Sequence, residues 1–196
     1  MQIAFLGRGP VATSLANLAK AGGHSAQVTG RTGDPSFEAV IKNSDLVVLA
    51  VPYRVVASLL PGLKNALAGK TLVDATNPLK EDWSPIIPER GLSGAETIAE
   101  LLPRTYVVKA FNTVFADIMT PDGLRRNGKS ATTFISGNDE GAVQKVETFA
   151  REIGFDPVVV GPLHLARYLE GLAHLNIAVA VGRGGGTNAA ILYDRR

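Results

Sequence analysis

Short apolar runs, each closed by a turn residue and separated by helix-like stretches, constrain this chain more than anything else in it. Residues 3–6, 46–51 (LVVLAV), 71–75 and 106–111 are mainly apolar and end at glycine, proline or asparagine within a few positions. Such runs suit strands covered on both faces, as in a parallel sheet. Residues 25–29, 132–136 and 157–160 read as further strands. Between them, residues 11–21, 37–42, 54–67, 139–153 and 164–181 carry helical spacing, with a break expected at Pro61-Gly62. Ser93 and Glu96 make a capping-box pair that starts a helix running to Leu102. Residues 79–92, with prolines at 78, 85 and 88, read as a loop or lid. Strand–helix alternation of this kind predicts an open α/β sheet whose right-handed crossovers bring the carboxyl ends of the strands to one rim.

The turn after the first strand is Gly7-Arg8-Gly9-Pro10-Val11-Ala12, a G-x-G-x-x-A pattern between a strand and an amphipathic helix. Gly7 permits the tight turn, Gly9 lets backbone approach a pyrophosphate, and Ala12 is small enough for close helix–strand packing. Pro10 fits the first helical position, where its missing N–H costs little, and the positive helix end faces the phosphates. Outside this context the motif is only a glycine turn. In it, the pattern predicts a Rossmann-type doubly wound, mainly parallel sheet over residues 1–161, with residues 162–196 as a short C-terminal helical segment that closes the pocket.

An absence then selects the nucleotide. Sites specific for NAD place an acid about 20 residues beyond the glycines to hold the ribose 2′-hydroxyl. Here the first 33 residues contain no aspartate or glutamate, and the second strand ends in Thr29-Gly30-Arg31-Thr32. A guanidinium at position 31 can pair with a 2′-phosphate, and the hydroxyls of Thr29 and Thr32 can donate to it. NADP(H) is therefore the expected cofactor. The competing reading leaves Arg31 in solvent and lets Asp34 reach the ribose.

Three further strand ends fall on the same rim. Ala50-Val51-Pro52-Tyr53 is expected to pass the ribose and nicotinamide, with Tyr53 either stacking on a ligand or packing at the sheet edge. Asn77 and Asn112 end two other strands. Their amides suit a carboxamide or an acceptor carbonyl, or else loop capping. On the acceptor side, Leu163, Leu172, His174 and the Gly184–Gly186 turn, centred on Gly185, are the candidates.

Composition narrows the chemistry. The chain has no cysteine, which excludes disulfides, iron–sulfur clusters and thiolate zinc sites and suits a reducing cytoplasm. Its formal charge is only +2, and its longest basic run of interest is Arg125-Arg126, so nucleic-acid binding is not expected. No apolar stretch reaches the roughly 20 residues of a membrane span, and the opening residues do not read as a signal peptide. No catalytic triad, paired acid motif or metal-ligand spacing stands out. His24 reads as a surface residue at a helix end. The stripe Leu165, Leu169, Leu172 reads as core, or as a homodimer contact where exposed.

FLGRGPVA, TGRT, LVVLAVPY, VDATNPL, VKAFNTVF and GFDPVVVGPL follow one another along essentially the whole chain. In these segments it resembles the NADPH-dependent reductases of coenzyme F420, a 5-deazaflavin, and the related cytosolic part of STEAP-type metalloreductases. The resemblance implies an NADP-binding domain that exchanges hydride between nicotinamide and a deazaflavin or flavin. By position it implies Thr29, Arg31 and Thr32 at the 2′-phosphate, and Gly7, Arg8, Gly9, Pro10 and Val11 along the pyrophosphate. It places Val51, Pro52, Asn77 and Ala110 beside the nicotinamide. Pro10 stands where asparagine is frequent, Ala12 replaces a third glycine, and Tyr53 stands where tryptophan is frequent. Hydride transfer between rings needs placement and exclusion of water rather than a protein acid, which agrees with the lack of a catalytic residue. Two other readings stay open: an imine or carbonyl reductase like pyrroline-5-carboxylate reductase, and an NADP(H)-sensing module without catalysis.

Overall fold

The computed structural model describes residues 1–30, 35–88 and 91–194. Its main sheet has seven strands in the order β2-β1-β3-β4-β5-β8-β9. The first five, β1 (Gln2–Leu6), β2 (Ser25–Thr29), β3 (Leu46–Leu49), β4 (Thr71–Asp74) and β5 (Tyr106–Lys109), run parallel. The chain leaves β1, adds β2 on one side and returns to add β3 on the other. This reversal opens a crevice at the carboxyl ends of β1 and β3, the place where open α/β sheets bind ligands.

Strand β8 (Thr132–Gly137) joins β5 antiparallel through only two residue pairs, and β9 (Asp156–Gly161) then runs parallel to β8. A small hairpin, β6 (Arg125–Arg126) with β7 (Lys129–Ser130), turns through Asn127-Gly128, both at positive φ. Asn-Gly is the dipeptide such a turn favours.

Helices cover both faces. On one face α1 (Pro10–Ala21) and α5 (Glu140–Glu152) pack with Phe5, Phe111, Phe149 and Phe155. On the other, α2 (Phe37–Lys42), α3 (Val56–Leu63) and α4 (Gly94–Leu101) cover Leu6, Leu49 and Leu72. The capping box is present: Ser93 Oγ accepts from Glu96 N at 3.1 Å, and Ser93 N donates to the Glu96 carboxylate at 2.7 Å. Pro61 does not break α3 where it stands, but the helix expected to continue to Leu67 ends at Leu63, just past Pro61-Gly62. Pro61 sits inside α3, and Leu67 N still bonds to Leu63 O beyond it. His24 is also not a surface residue. Its side chain is 7% exposed, edge-on to Phe149 and 3.3 Å from Glu152, and burial lowers its pKa.

Helix α6 (Ala166–Ala180) lies across the carboxyl end of the sheet. Leu169 is buried and Leu165 half-buried, while the outer face exposes Tyr168, Leu175 and Val179. The tail after α6 returns to β8, where Thr132 N donates to Ile191 O and Tyr193 N to Thr132 Oγ1. No described helix is long and apolar enough to cross a membrane.

Candidate functional site

A cavity of about 470 Å³ opens at the carboxyl rim, at the reversal point of the sheet. One wall comes from the strand ends: Gly9, Pro10 and Val11 after β1, Ala50 to Tyr53 after β3, and Ala75 to Asn77 after β4. The rest of the lining comes from Leu79, Lys80 and Trp83 in the loop after β4, residues 112–117 after β5, Ala173, Asn176 and Ile177 on α6, and Thr187 of the tail.

The turn under the first wall is fixed by sterics. Gly7 has φ +128°, and a Cβ built on it would lie 2.2 Å from the Ala50 carbonyl oxygen. Only glycine lets β1 and β3 release their chains this close together. Gly9 differs: it has ordinary extended backbone, and a Cβ there meets nothing within 4 Å. Its bare face is turned to open space in the cavity wall. Helix α1 starts immediately after it with Pro10 at the first position, no capping side chain and no acidic residue in its first turn. Its leading N–H groups and positive dipole end are thus left for an external anion. This observation fits a pyrophosphate.

The other expected cofactor residues separate into groups. Ala50, Val51, Pro52 and Asn77 line the cavity. Arg8 is exposed, and its side chain lies along Gly30, pointing the guanidinium region toward the second-strand loop. Thr29 is fully buried and donates its hydroxyl to Pro35 O at 2.6 Å, so the donor expected at the 2′-phosphate is engaged inside the fold. Arg31, Thr32 and Asp34 lie outside the described residues. Ala110 is fully buried in the core and does not reach the cavity.

Asn77 and Asn112 are brought together, but on each other. Asn77 Nδ2 donates to Asn112 O at 2.8 Å, and Asn112 Nδ2 donates to Asn77 Oδ1 at 2.9 Å and to Leu169 O at 3.1 Å. The amides therefore clamp the turns after β4 and β5 to each other and to α6, the capping alternative. Asn112 Oδ1 and Thr113 Oγ1, both buried, have no protein partner.

Of the acceptor-side candidates, Tyr53 and Asn112 line the cavity. The Tyr53 hydroxyl bonds to Thr97 on α4. Burial raises its pKa, with Thr97 opposing and the charges of Glu170 and Asp74 adding to the rise. Leu163 is 3% exposed in the core and Leu172 is half-buried; neither reaches the cavity wall. Gly185 is exposed beside the end of α6, and its neighbour Thr187 is the residue that lines the cavity. His174 is not in the wall either. Its ring bonds to the Pro78 carbonyl, and burial lowers its pKa although Glu170 pulls the other way.

The feature that motif reasoning misses is ionic. Asp74 and Lys109, directly paired in the register of β4 and β5, are both fully buried with their charged groups 2.8 Å apart. The Lys109 ammonium also donates to Thr76 O at 2.6 Å and lies 3.1 Å from Glu170 of α6. Its three donors are all engaged. Glu170 in turn accepts from Gly94 N and Ala95 N at the start of α4, at 3.0 and 3.2 Å. Asp74 Oδ1 accepts from Thr76 N and its hydroxyl. Burial works against the ammonium, but Asp74 and Glu170 outweigh it and hold Lys109 above the usual lysine range. The signal was an opposite charge at the same place in each of two adjacent apolar strands, TLVD and YVVK.

Among the described residues, no group of three or more histidine, aspartate or glutamate side chains could hold a metal. The cavity wall carries Asp117, whose carboxylate is bonded by Thr187, and the cations Arg54 and Lys80 at its mouth.

A family model described as NADP oxidoreductase, coenzyme F420-dependent, matches residues 33–78. The chain is 31% identical over 185 residues to the metalloreductase STEAP3 of Rattus norvegicus, covering 87% of this chain and 36% of that protein. It is 29% identical over 146 residues to an F420-dependent NADP reductase of Methanocaldococcus jannaschii, covering 71% of this chain and 64% of the relative. A crystal structure provisionally assigned as an F420-dependent NADP reductase, from Arthrobacter sp. FB24, superposes with a TM-score of 0.85 at 28% identity and full coverage of both chains. The chain spans about a third of the length of the STEAP proteins and just under two thirds of the archaeal enzyme. The chain has a Rossmann-type fold, and in sequence it is similar to the coenzyme F420-dependent NADP oxidoreductases and to the matching part of the STEAP metalloreductases.

Proposed function

We propose that this protein is an NADP(H)-dependent oxidoreductase that passes hydride between the nicotinamide and a flavin-like or deazaflavin ring. One observation carries the reading: the cavity at the strand-order reversal opens onto an uncapped helix N-terminus beneath Gly9, and its lining also includes the apolar and aromatic side chains of Leu79, Trp83, Phe115 and Ile177. The first part suits a dinucleotide pyrophosphate, and the second a ring that must lie against the nicotinamide.

When bound, the nicotinamide supplies or takes the hydride. The residues of this chain supply placement. Gly9 and the first turn of α1 hold the phosphates. Ala50, Val51 and Pro52 form the floor under the ribose and nicotinamide. Arg31 pairs with the 2′-phosphate, with Arg8 lying toward the same loop. Helix α6 and the tail, within residues 162–196, exclude water from the cavity. Transfer between ring carbons asks for placement alone, because a ring nitrogen can take its proton from solvent.

The test is a paired titration with NADPH and NADH, followed by mixing the NADPH-loaded protein with FMN, deazaflavin and a cyclic imine. The expected result is tighter binding of NADPH, with the preference falling roughly tenfold or more in Arg31→Ala, as loss of charge-assisted hydrogen bonds implies. Oxidation of NADPH by the ring acceptors should follow. Equal affinity for the two nucleotides would refute the cofactor assignment. Tight NADPH binding without oxidation by any acceptor would instead identify a sensing module.

A further inference from the structure

We propose that Trp83 is the platform on which the hydride acceptor stacks, which makes the acceptor a planar heteroaromatic ring rather than an aliphatic imine or carbonyl. The inference rests on the dinucleotide reading of the cavity and extends it to the rest of the lining.

The strand-end wall is accounted for by the cofactor, since it consists of the glycine turn and the short segments after β3 and β4. A hydride acceptor must lie on the other side of the nicotinamide, within about 3–3.5 Å of it in a reactive pose. Apart from the strand ends, the large apolar side chains of the lining include Leu79, Trp83, Phe115 and Ile177. Trp83 stands apart from the rest. It is the only tryptophan in the chain and is 49% exposed, although a ring of this size is normally well covered.

Its backbone is held for the purpose. Trp83 has φ +66°, a conformation that bulky side chains seldom adopt and that persists only where the surroundings fix it. Those surroundings form a closed unit. Lys80 N bonds to Ser84 O, Trp83 N to Lys80 O, and Ile86 N to Pro78 O, while Leu79 and Pro85 form a bridge. Asp82 Oδ1 accepts from both the backbone and the hydroxyl of Ser84. The unit is anchored at its base: Thr76 O is held by buried Lys109, Asn77 by Asn112, and the Pro78 carbonyl by His174. An aromatic ring is thus carried on a tied loop, in the lining of the same cavity as Gly9 and residues 50–52, and left half uncovered. A flat π-system is the partner that gains most from such a surface, through offset stacking.

The experiment compares wild type, Trp83→Phe and Trp83→Ala, each saturated with NADP so that no turnover occurs. Affinity for NADP and for FMN, deazaflavin and a five-membered cyclic imine is measured by calorimetry. Expected are an unchanged NADP affinity in all three proteins and ring binding in the wild type. Ring affinity should stay within about twofold in Trp83→Phe and fall roughly fivefold or more in Trp83→Ala, the size of a lost stacking contact. Under turnover the same Trp83→Ala change should raise KM for the ring with little change in kcat. The platform is overturned if Trp83→Ala binds the rings as the wild type does, or if the NADP-loaded wild type takes the imine and no ring. In those outcomes the cofactor reading stands. Failure of the wild type to bind NADP overturns both.

Discussion

The two walls of the cavity are built on different principles. The cofactor wall is made by backbone sterics over short sequence distances: Gly7 against Ala50, Gly9 against empty space, Pro10 at the head of α1. The rest of the lining is held by buried polar groups from distant parts of the chain, which tie the ends of β4 and β5 to α6. Lys109 joins β4, β5 and α6 through Asp74, Thr76 and Glu170, and Glu170 reaches on to the start of α4. The first wall needs small residues at fixed spacing. The second needs charges that offset one another's burial cost only in part, since two carboxylates face one ammonium and the helix amides share the excess. A glycine turn can be kept through wide sequence change by keeping two residues; an ionic lock of this kind fails when any one member is lost.

The largest effect should come from breaking the lock. Lys109→Met leaves Asp74 and Glu170 buried without their cation, and removing one partner of such a set costs about 3–5 kcal/mol. Urea unfolding should show this as a lower midpoint with an unchanged slope. Asp74→Asn in the same background should recover part of the loss, because one orphaned charge is then gone. A loss below about 1 kcal/mol for the single change would show that the ammonium does not hold the rest of the lining.

The glycine turn offers the sharper contrast. Gly7→Ala forces a Cβ into the Ala50 carbonyl at positive φ and should cost about 3 kcal/mol of stability. Gly9→Ala meets no atom of the protein, so its stability should change by only about 0.5 kcal/mol. Its added methyl faces the cavity, and NADPH affinity should fall roughly tenfold as the phosphates are pushed back. Calorimetric titration with thermal melts on both variants separates the two roles. Equal NADPH affinity for Gly9→Ala and wild type would remove the pyrophosphate from this turn.

The same contrast explains what could be read from the sequence. The parallel strands, the helix starts and the cofactor turn were legible because each is set by neighbours within about a dozen residues. Phe37–Lys42 and the Ser93–Glu96 box came out as the local rules require. Pro61 misled only in where α3 stops, because tertiary packing of Val56, Leu60 and Leu63 keeps the helix intact across one missing N–H. Leu163 and Ala110 misled because closeness to the rim along the chain does not say which face a side chain takes; both point into the core. Asn77 and Asn112 were correctly placed at the rim, but their mutual hydrogen bonds depend on a spacing of 35 residues that no motif records. Glu170 is further still from its partners, 76 residues from Gly94. Phe111 turns the chain at φ +65°, which the apolar run through residue 111 concealed, and β8 then enters the sheet antiparallel.

The smallest effect sharpens the comparison at its seam, where α4 meets α6. Glu96 closes the capping box on Ser93 and also meets Arg167 of α6 at 3.2 Å. Burial pushes its pKa up, but the Ser93 N–H and hydroxyl together with Arg167 outweigh this and hold it below the ordinary value of 4.5. A carboxylate lowered in the folded state adds stability above its unfolded pKa, and that stability drains away as pH falls through the folded value. Ser93→Ala should therefore cost about 1 kcal/mol near neutral pH, and the difference from wild type should narrow on acidification below about pH 4.5, where both proteins lose the ionised Glu96. Urea midpoints measured across that range give the sign directly. A gap that stays constant would mean that the hydroxyl acts only as a neutral cap for Glu96 N, and that the charge on Glu96 is held by Arg167 across the α4–α6 contact, which would place even this local motif under the control of contacts between distant parts of the chain.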